Sequence, residues 1–207
     1  DYMQKHMRGL ALTIFLWPNH VHMRRYFKSV LSPHGGGTYL EVGPGHGFAF
    51  MDAMQCRRFD RYVGIDVSRA SVDLTNEILS SGCFGTFSDY EIIHADFLEW
   101  NEGRPVDALV MGEVLEHVER PDRLLRRIAS ITHPGSFVFV TTAVNSPMID
   151  HIYLFRGVKE VRNLIAECGL RVRDELALPY NSLSLKTCED RRLPVNVAFV
   201  LENGKDG

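Results

Sequence analysis

The chain has 207 residues, 45% hydrophobic and 24% charged, with a formal net charge of −3. That length and balance suit one domain with a substantial core, and the weak acidity argues against a general affinity for nucleic acid or an anionic membrane surface. No run approaches the ~18 apolar residues of a membrane-spanning helix.

In chain order, residues 1 to about 31 read as helical. "QKHMRGLALTIFLW" holds good helix formers, Pro18 interrupts it, and Asn19 is the expected cap of a second helix through "HVHMRRYFKSVL". In that second helix Met23, Tyr26, Phe27, Val30 and Leu31 form one stripe, with His20, Arg24 and Lys28 elsewhere. After the loop "SPHGGG", strands and helices alternate. "TYLEVG" reads as a strand, "FAFMDAMQC" as a helix and "RYVGIDV" as a strand. "SRASVDLTNEILSSG" is a helix opened by Ser68 and closed by Gly82. "YEIIHADF" and "VDALVMG" are the third and fourth strands. "RPDRLLRRIASI" is a helix with Pro121 in its first turn, ended by "HPG". "SFVFVTTA" is a fifth strand and "GVKEVRNLIAECG" an amphipathic helix. "LRVRDELAL" and "VNVAFVLEN" close the chain as strands joined without a helix, so at least one should run antiparallel. The class is α/β, a doubly wound, largely parallel sheet covered on both faces.

Four dispersed cysteines, Cys56, Cys83, Cys168 and Cys188, show no metal-site spacing. They read as buried free thiols in a reducing cytoplasm. Arg123, Arg126 and Arg127 read as a solvated helix face.

"YLEVGPGHGFAF" places Gly43, Gly45 and Gly47 directly behind the first strand, where a doubly wound sheet binds its ligand. A phosphate-binding P-loop needs a Lys-Ser or Lys-Thr behind its glycines, and none is here. The dinucleotide fingerprint has Phe48 in place of its third glycine, which opposes close helix–strand packing. Glu41, two residues before the loop, suits a cationic ligand better than a pyrophosphate. Asp66 ends the second strand, where a carboxylate accepts both hydroxyls of a ribose; it serves a nicotinamide or an adenosyl ligand equally. Asp96 and Phe97 end the third strand and could meet an adenine. Gly112 ends the fourth and permits close backbone approach.

"LEVGPGHG", "GIDVS", "HADF" and "VDALVMGEVLEHVERP" together resemble, in order and spacing, the class I S-adenosylmethionine-dependent methyltransferases, closest to the small-molecule branch with the ubiquinone-type enzymes. The resemblance covers about residues 36 to 202. It implies a Rossmann-like sheet of seven strands in the order 3-2-1-4-5-7-6 with strand 7 antiparallel, behind a helical cap over 1–34 and a methyltransferase domain over 35–207. It further implies a cofactor site of Glu41, Gly43, Gly45, Gly47, Asp66, Val67, Asp96, Phe97, Gly112 and Glu113, holding S-adenosylmethionine and releasing S-adenosylhomocysteine.

Methyl transfer from a sulfonium is an in-line displacement, so the protein positions donor and acceptor and excludes water; a hydroxyl acceptor also needs a base. The loop "NSPMIDHIYLF" after the fifth strand supplies His151, the preferred base, and Tyr153. His117 in "EVLEHV" is the second histidine of interest, with a structural role favoured for it. No metal-ligating set stands out, and no metal is expected. The acceptor signatures of adenine-N6, glutamine-N5 and cytosine-C5 enzymes are absent. The expected acceptor is therefore the oxygen or nitrogen of a small molecule, in secondary metabolism, with neither nucleic acid nor membrane as partner and a monomer or homodimer as the assembly. A nicotinamide-dependent oxidoreductase and a catalytically silent cofactor-binding protein remain open alternatives.

Overall fold

The computed structural model describes residues 9, 15–101 and 103–204. The expected first helix, over residues 4–17, lies mostly outside them.

The described elements are α1 (Pro18–Leu31), β1 (Thr38–Val42), α2 (Phe48–Cys56), β2 (Arg61–Asp66), α3 (Arg69–Ser80), β3 (Tyr90–His94) and β4 (Val106–Gly112). There follow α4 (Pro121–Ile131), β5 (Thr132–Val144), α5 (Val158–Glu167), β6 (Leu170–Pro179), α6 (Leu185–Arg191) and β7 (Val195–Asn203). The seven strands form one sheet in the order β3-β2-β1-β4-β5-β7-β6. β1, β2 and β3 pair in parallel, while β7 runs antiparallel to both β5 and β6. The burial follows that order. β1 is buried at every position, as a strand covered on both faces must be, whereas β3 at the sheet edge is half exposed.

By internal contacts the chain divides into two compact units, Asp1–Val110 and Met111–Gly207. In the first, Ser68 caps α3 by accepting the Ser71 N–H at 3.3 Å, and Gly82 follows the helix with φ +71°. Both match the residues read as its start and stop. α1 begins one residue earlier than the expected Asn19 cap. Pro18 occupies the first turn, where its missing N–H costs nothing, and Trp17 is the residue before it. Phe27 and Leu31 are buried as the stripe predicts. Arg24 and Lys28, which the stripe sets apart, are also engaged. Arg24 donates to Asp52 of α2 at 2.5 and 2.9 Å and Lys28 to the same carboxylate at 3.1 Å. Asp52 is fully buried, so this pair of cations compensates its charge and ties α1 to α2.

In the second unit, α4 buries Leu124, Leu125, Ile128 and Ala129, and Pro121 sits in its first turn. It does not end at "HPG": β5 begins at Thr132 and runs through those residues. Asn203 explains the abrupt change, since its side-chain amide donates to Ala129 O and Thr132 O, both at 2.8 Å, satisfying carbonyls the helix leaves open. The expected helix-free link between the last two strands is corrected by α6. Ser184 caps this short helix by accepting the Thr187 N–H at 3.1 Å, and Cys188 is its buried anchor. All four cysteines are free, but only Cys168 and Cys188 are buried; Cys83 is exposed and Cys56 half-buried. Among the described residues, no helix is long and apolar enough to cross a membrane.

Candidate active site

The glycine loop of the first unit has a backbone that its glycines make possible. Gly43, Gly45 and Gly47 have φ of +69°, +58° and +76°, all in the left-handed region that side chains disfavour. The loop is tied down at several points. Gly43 N–H donates to Ile65 O at 2.8 Å, Gly45 N–H to an Asp66 carboxylate oxygen at 3.3 Å, and the Thr75 hydroxyl to Gly45 O at 3.1 Å. At Gly47 a Cβ would stand 3.0 Å from Thr75 Cγ2, so this glycine also allows α3 to approach.

Asp66 ends β2 with a buried side chain. Its second oxygen accepts the Ser68 N–H at 2.8 Å, which fixes the carboxylate plane at the mouth of the loop. Burial raises its pKa above the ordinary value, and the Ser68 and Gly45 N–H groups oppose that rise. Each oxygen still has lone-pair capacity beyond its single N–H partner, so the group can accept from a ligand's hydroxyls.

Glu41 lies buried on β1. Its carboxyl accepts from the Tyr39 hydroxyl at 2.5 Å and from the Phe50 N–H in the first turn of α2. Burial, with a smaller contribution from Asp52, raises it to about 8 despite these donors. His46, the one titratable side chain of "GPGHGF", is lowered to about 4 by burial and by the nearby His20 and Arg24. The loop therefore carries no cationic side chain at neutral pH, and Arg24 is already committed to Asp52. A neutral, glycine-lined loop beside an acceptor-only carboxylate fits a sugar-bearing ligand without phosphates, which S-adenosylmethionine is.

Asp96 is exposed, and its carboxylate closes its own turn by accepting the Leu98 N–H at 2.9 Å. Phe97 beside it is buried, and Val67 is largely exposed. In the second unit Gly112 is open enough that a Cβ would meet Thr141 Oγ1 at an ordinary 3.6 Å.

The second unit builds a compact polar cluster beyond the ends of β4 and β5. Each strand is followed directly by a non-glycine residue in the left-handed region, Glu113 after β4 and Asn145 after β5, each with φ +51°. Such a backbone costs on the order of 1–3 kcal/mol and persists only where the surroundings enforce it. Glu113 N–H donates to the Thr141 carbonyl and hydroxyl, both at 3.1 Å. Asn145 N–H donates to Phe155 O at 2.8 Å. A single 3₁₀ turn, Leu115–His117, then presents Glu116 and His117 side by side. Glu116 is buried, its Oε2 accepts the Thr142 hydroxyl at 2.7 Å, and its carboxyl is hydrogen-bonded to that of Glu113. The Glu113 carboxyl neighbours it. Burial first, and the Glu116 charge second, push the Glu113 pKa up.

His151 and His117 stand edge to face, with ring centroids 5.1 Å apart. The His117 Nδ1 lies 2.8 Å from Asp150 O and the His151 Nδ1 2.6 Å from Ser146 O. A carbonyl only accepts, so both rings donate from Nδ1. The carbonyl of Asp150, the neighbour of His151 in the chain, thus orients His117. Ligand atoms of Glu116, His117 and His151 all lie within 4.8 Å of one another, a grouping the sequence pattern did not reveal. Tyr153 points its hydroxyl at Glu160 Oε1, 3.2 Å away, while its N–H donates to Glu116 O at 2.9 Å. Sequence reasoning also missed Asn145, which is buried with its side-chain Nδ2 unpartnered.

Comparison with known proteins identifies the family. A family model described as a methyltransferase domain matches residues 19–187. The ubiquinone biosynthesis O-methyltransferase of Parvibaculum lavamentivorans is 25% identical over 188 residues, covering 81% of this chain and 72% of that protein. Among solved structures, the N-methyltransferase NodS of Bradyrhizobium japonicum, in complex with S-adenosyl-L-homocysteine, superposes with a TM-score of 0.69. It does so at 15% identity, over 97% of this chain and 98% of that one. The [4+2]-cyclase SpnF gives 0.70 at 14% identity, over 88% and 81%. At these identities the two structures speak for the fold alone. The chain belongs to the methyltransferase-domain family, in the S-adenosylmethionine-dependent class I group that the glycine loop and Asp66 indicate, with S-adenosylmethionine as its cofactor. The nicotinamide-dependent alternative is not favoured.

Proposed function

We propose that this protein moves the methyl group of S-adenosylmethionine to an oxygen or nitrogen of a small molecule, with Gly43, Gly45, Gly47 and Asp66 holding the cofactor. The observation that carries the assignment is Asp66, a buried carboxylate at the end of β2 facing three left-handed glycines. When bound, the cofactor supplies an electrophilic methyl on a sulfonium. What the chain does is hold, orient and desolvate.

Asp66 accepts the ribose hydroxyls through charge-assisted hydrogen bonds. Asp96, Val67 and Phe97 flank the adenine, with Phe97 as its apolar contact. Gly112 and Glu113 complete the set of cofactor residues. Glu41 acts through the backbone it holds, because its bond to the Phe50 N–H fixes the first turn of α2 directly behind the loop. Of the cap expected over 1–34, α1 is the part that the structure describes as a complete helix. Support for it is the Arg24–Asp52 and Lys28–Asp52 pairs, which fasten α1 to the helix that follows the glycine loop. His151 and His117 meet the acceptor through Nε2, and Tyr153 positions the loop between them through Glu116 O and Glu160. The free thiols support a reducing, cytoplasmic setting.

Calorimetric titration of wild type and Asp66→Ala with S-adenosylhomocysteine tests the cofactor assignment. A panel of hydroxyl- and amine-bearing small molecules, scored by methyl incorporation, then tests the acceptor class. Equal affinity of a folded Asp66→Ala variant would sink the first.

A further inference from the structure

Asn145 carries a side chain that its backbone alone does not explain. It stands directly after β5 at φ +51°, a region asparagine enters more readily than most residues. Glycine would meet that requirement without burying a polar group. Asn145 is instead 5% exposed, and its side-chain Nδ2 is buried with no hydrogen-bond partner among the described residues. A buried N–H donor left without an acceptor is destabilising, so its retention calls for an oxygen that completes it. The surroundings say where that oxygen comes from. Asn145 N–H donates to Phe155 O at 2.8 Å, beside the Val144–Phe155 bridge, and so closes the neck of the loop Ser146–Leu154. The next carbonyl along the chain, Ser146 O, accepts from His151 Nδ1 at 2.6 Å. The unpartnered donor thus adjoins the residue that orients His151.

We propose that Asn145 donates its side-chain N–H to the reacting oxygen of a hydroxyl acceptor, which makes this a site for oxygen in preference to nitrogen. The inference rests on the methyl-transfer reading. A hydroxyl oxygen has two lone pairs. One attacks the methyl carbon in line with the sulfonium, while the carbon–sulfur bond breaks and its electron pair stays on sulfur. The hydroxyl proton passes to His151 and from there to bulk water. The second lone pair is left over, and an N–H donor can hold it without engaging the pair that reacts. A neutral amine has a single lone pair, which must form the new bond, so it leaves Asn145 nothing to donate to. Rotation about the last side-chain torsion, which is broad in asparagine, lets the donor turn to meet the arriving oxygen.

The test gives the full chain tritium-labelled S-adenosylmethionine and matched pairs of phenols with anilines and of alcohols with amines on the same skeleton. The hydroxyl member of a pair should be methylated at least tenfold faster than its amine partner. Asn145→Gly, which removes the amide and accepts the same φ, should lower kcat/KM for that hydroxyl at least tenfold. Its urea midpoint and its affinity for S-adenosylhomocysteine should stay at the wild-type values. Asn145→Asp, similar in outline but without the N–H, should lose as much turnover as Asn145→Gly. In the unsubstituted chain one asparagine side-chain amide resonance, absent from Asn145→Asp, should move downfield when the hydroxyl is added over S-adenosylhomocysteine. Preference for the amine, methylation of no hydroxyl member, wild-type turnover in Asn145→Asp, or an amide resonance that stays in place would each overturn the assignment. A fall in urea midpoint with no specific loss for the hydroxyl would make the amide structural. S-adenosylhomocysteine binding that persists while the hydroxyl result fails removes the role of Asn145 alone. No such binding by the unsubstituted chain removes the methyl-transfer reading, and this inference with it.

Discussion

The Gly45 N–H donates to the Asp66 carboxylate at 3.3 Å, joining the middle glycine of the loop after β1 to the last residue of β2. One side chain thus holds the loop and offers its remaining lone pairs to a ligand. Asp66→Ala should therefore weaken S-adenosylhomocysteine binding by an order of magnitude or more, from lost charge-assisted hydrogen bonds. Asp66→Asn, which keeps an acceptor but loses the charge, should fall between the two in the same titration. If it matched alanine, charge would be the whole effect.

Gly47 should resist substitution for two separate reasons. Its φ of +76° strains any side chain, and an added Cβ would press on Thr75 Cγ2 at 3.0 Å. Gly47→Ala should cost roughly 1–3 kcal/mol in urea unfolding. Gly82, also at positive φ but with open space around it, should cost less when made alanine. Equal losses would show that the contact with Thr75 contributes nothing.

The buried Asp52 carboxylate makes the seat of α1 testable. Asp52→Asn removes the charge that Arg24 and Lys28 compensate, yet both cations are partly exposed and can return to water. The expected cost is on the order of 1–3 kcal/mol, below that of breaking a wholly buried pair. Limited proteolysis should then find cleavage within Pro18–Leu31 faster than in wild type. Unchanged cleavage would mean that Phe27 and Leu31 alone keep the helix seated.

Glu41 sets a pH dependence of stability. Burial raises it from 4.5 to about 8, so the folded chain holds this proton more tightly than the unfolded one. The contribution is fully present below about pH 4.5 and is lost as pH climbs toward about 8. Urea unfolding of wild type relative to Glu41→Gln should show a relative loss for wild type across that window. Parallel curves would mean that Glu41 ionises as an ordinary carboxylate.

His151→Ala should lower turnover by about a hundredfold once an acceptor is found, with S-adenosylhomocysteine affinity little changed. Turnover equal to wild type would reduce His151 to a loop residue.

The parts of this molecule that sequence reveals are those written in local patterns. The Ser68 and Gly82 limits of α3 are visible because a cap and a left-handed glycine act within a few residues of the helix they bound. The antiparallel β7 follows from two strands placed in succession. What stays hidden depends on partners distant in the chain. Asp52 reads as one polar residue in an apolar helix until Arg24 and Lys28 arrive from α1. The start of β5 at Thr132 depends on Asn203, at the far end of the chain. α6 escapes notice because its seven residues bury little besides Cys188, too short a helix to show a period. His117 and His151 each look isolated in sequence, and their meeting with Glu116 is made by a 3₁₀ turn and a loop, elements without periodicity. Asn145 leaves a fainter sign, since asparagine is among the few residues that accept the left-handed region it occupies.

The most direct measurement is calorimetric titration of the purified protein with S-adenosylhomocysteine, with NADH as the parallel control. The glycine loop and Asp66 predict saturable binding of S-adenosylhomocysteine and none of NADH. Binding of NADH alone would contradict the account and leave the fold without the function assigned to it.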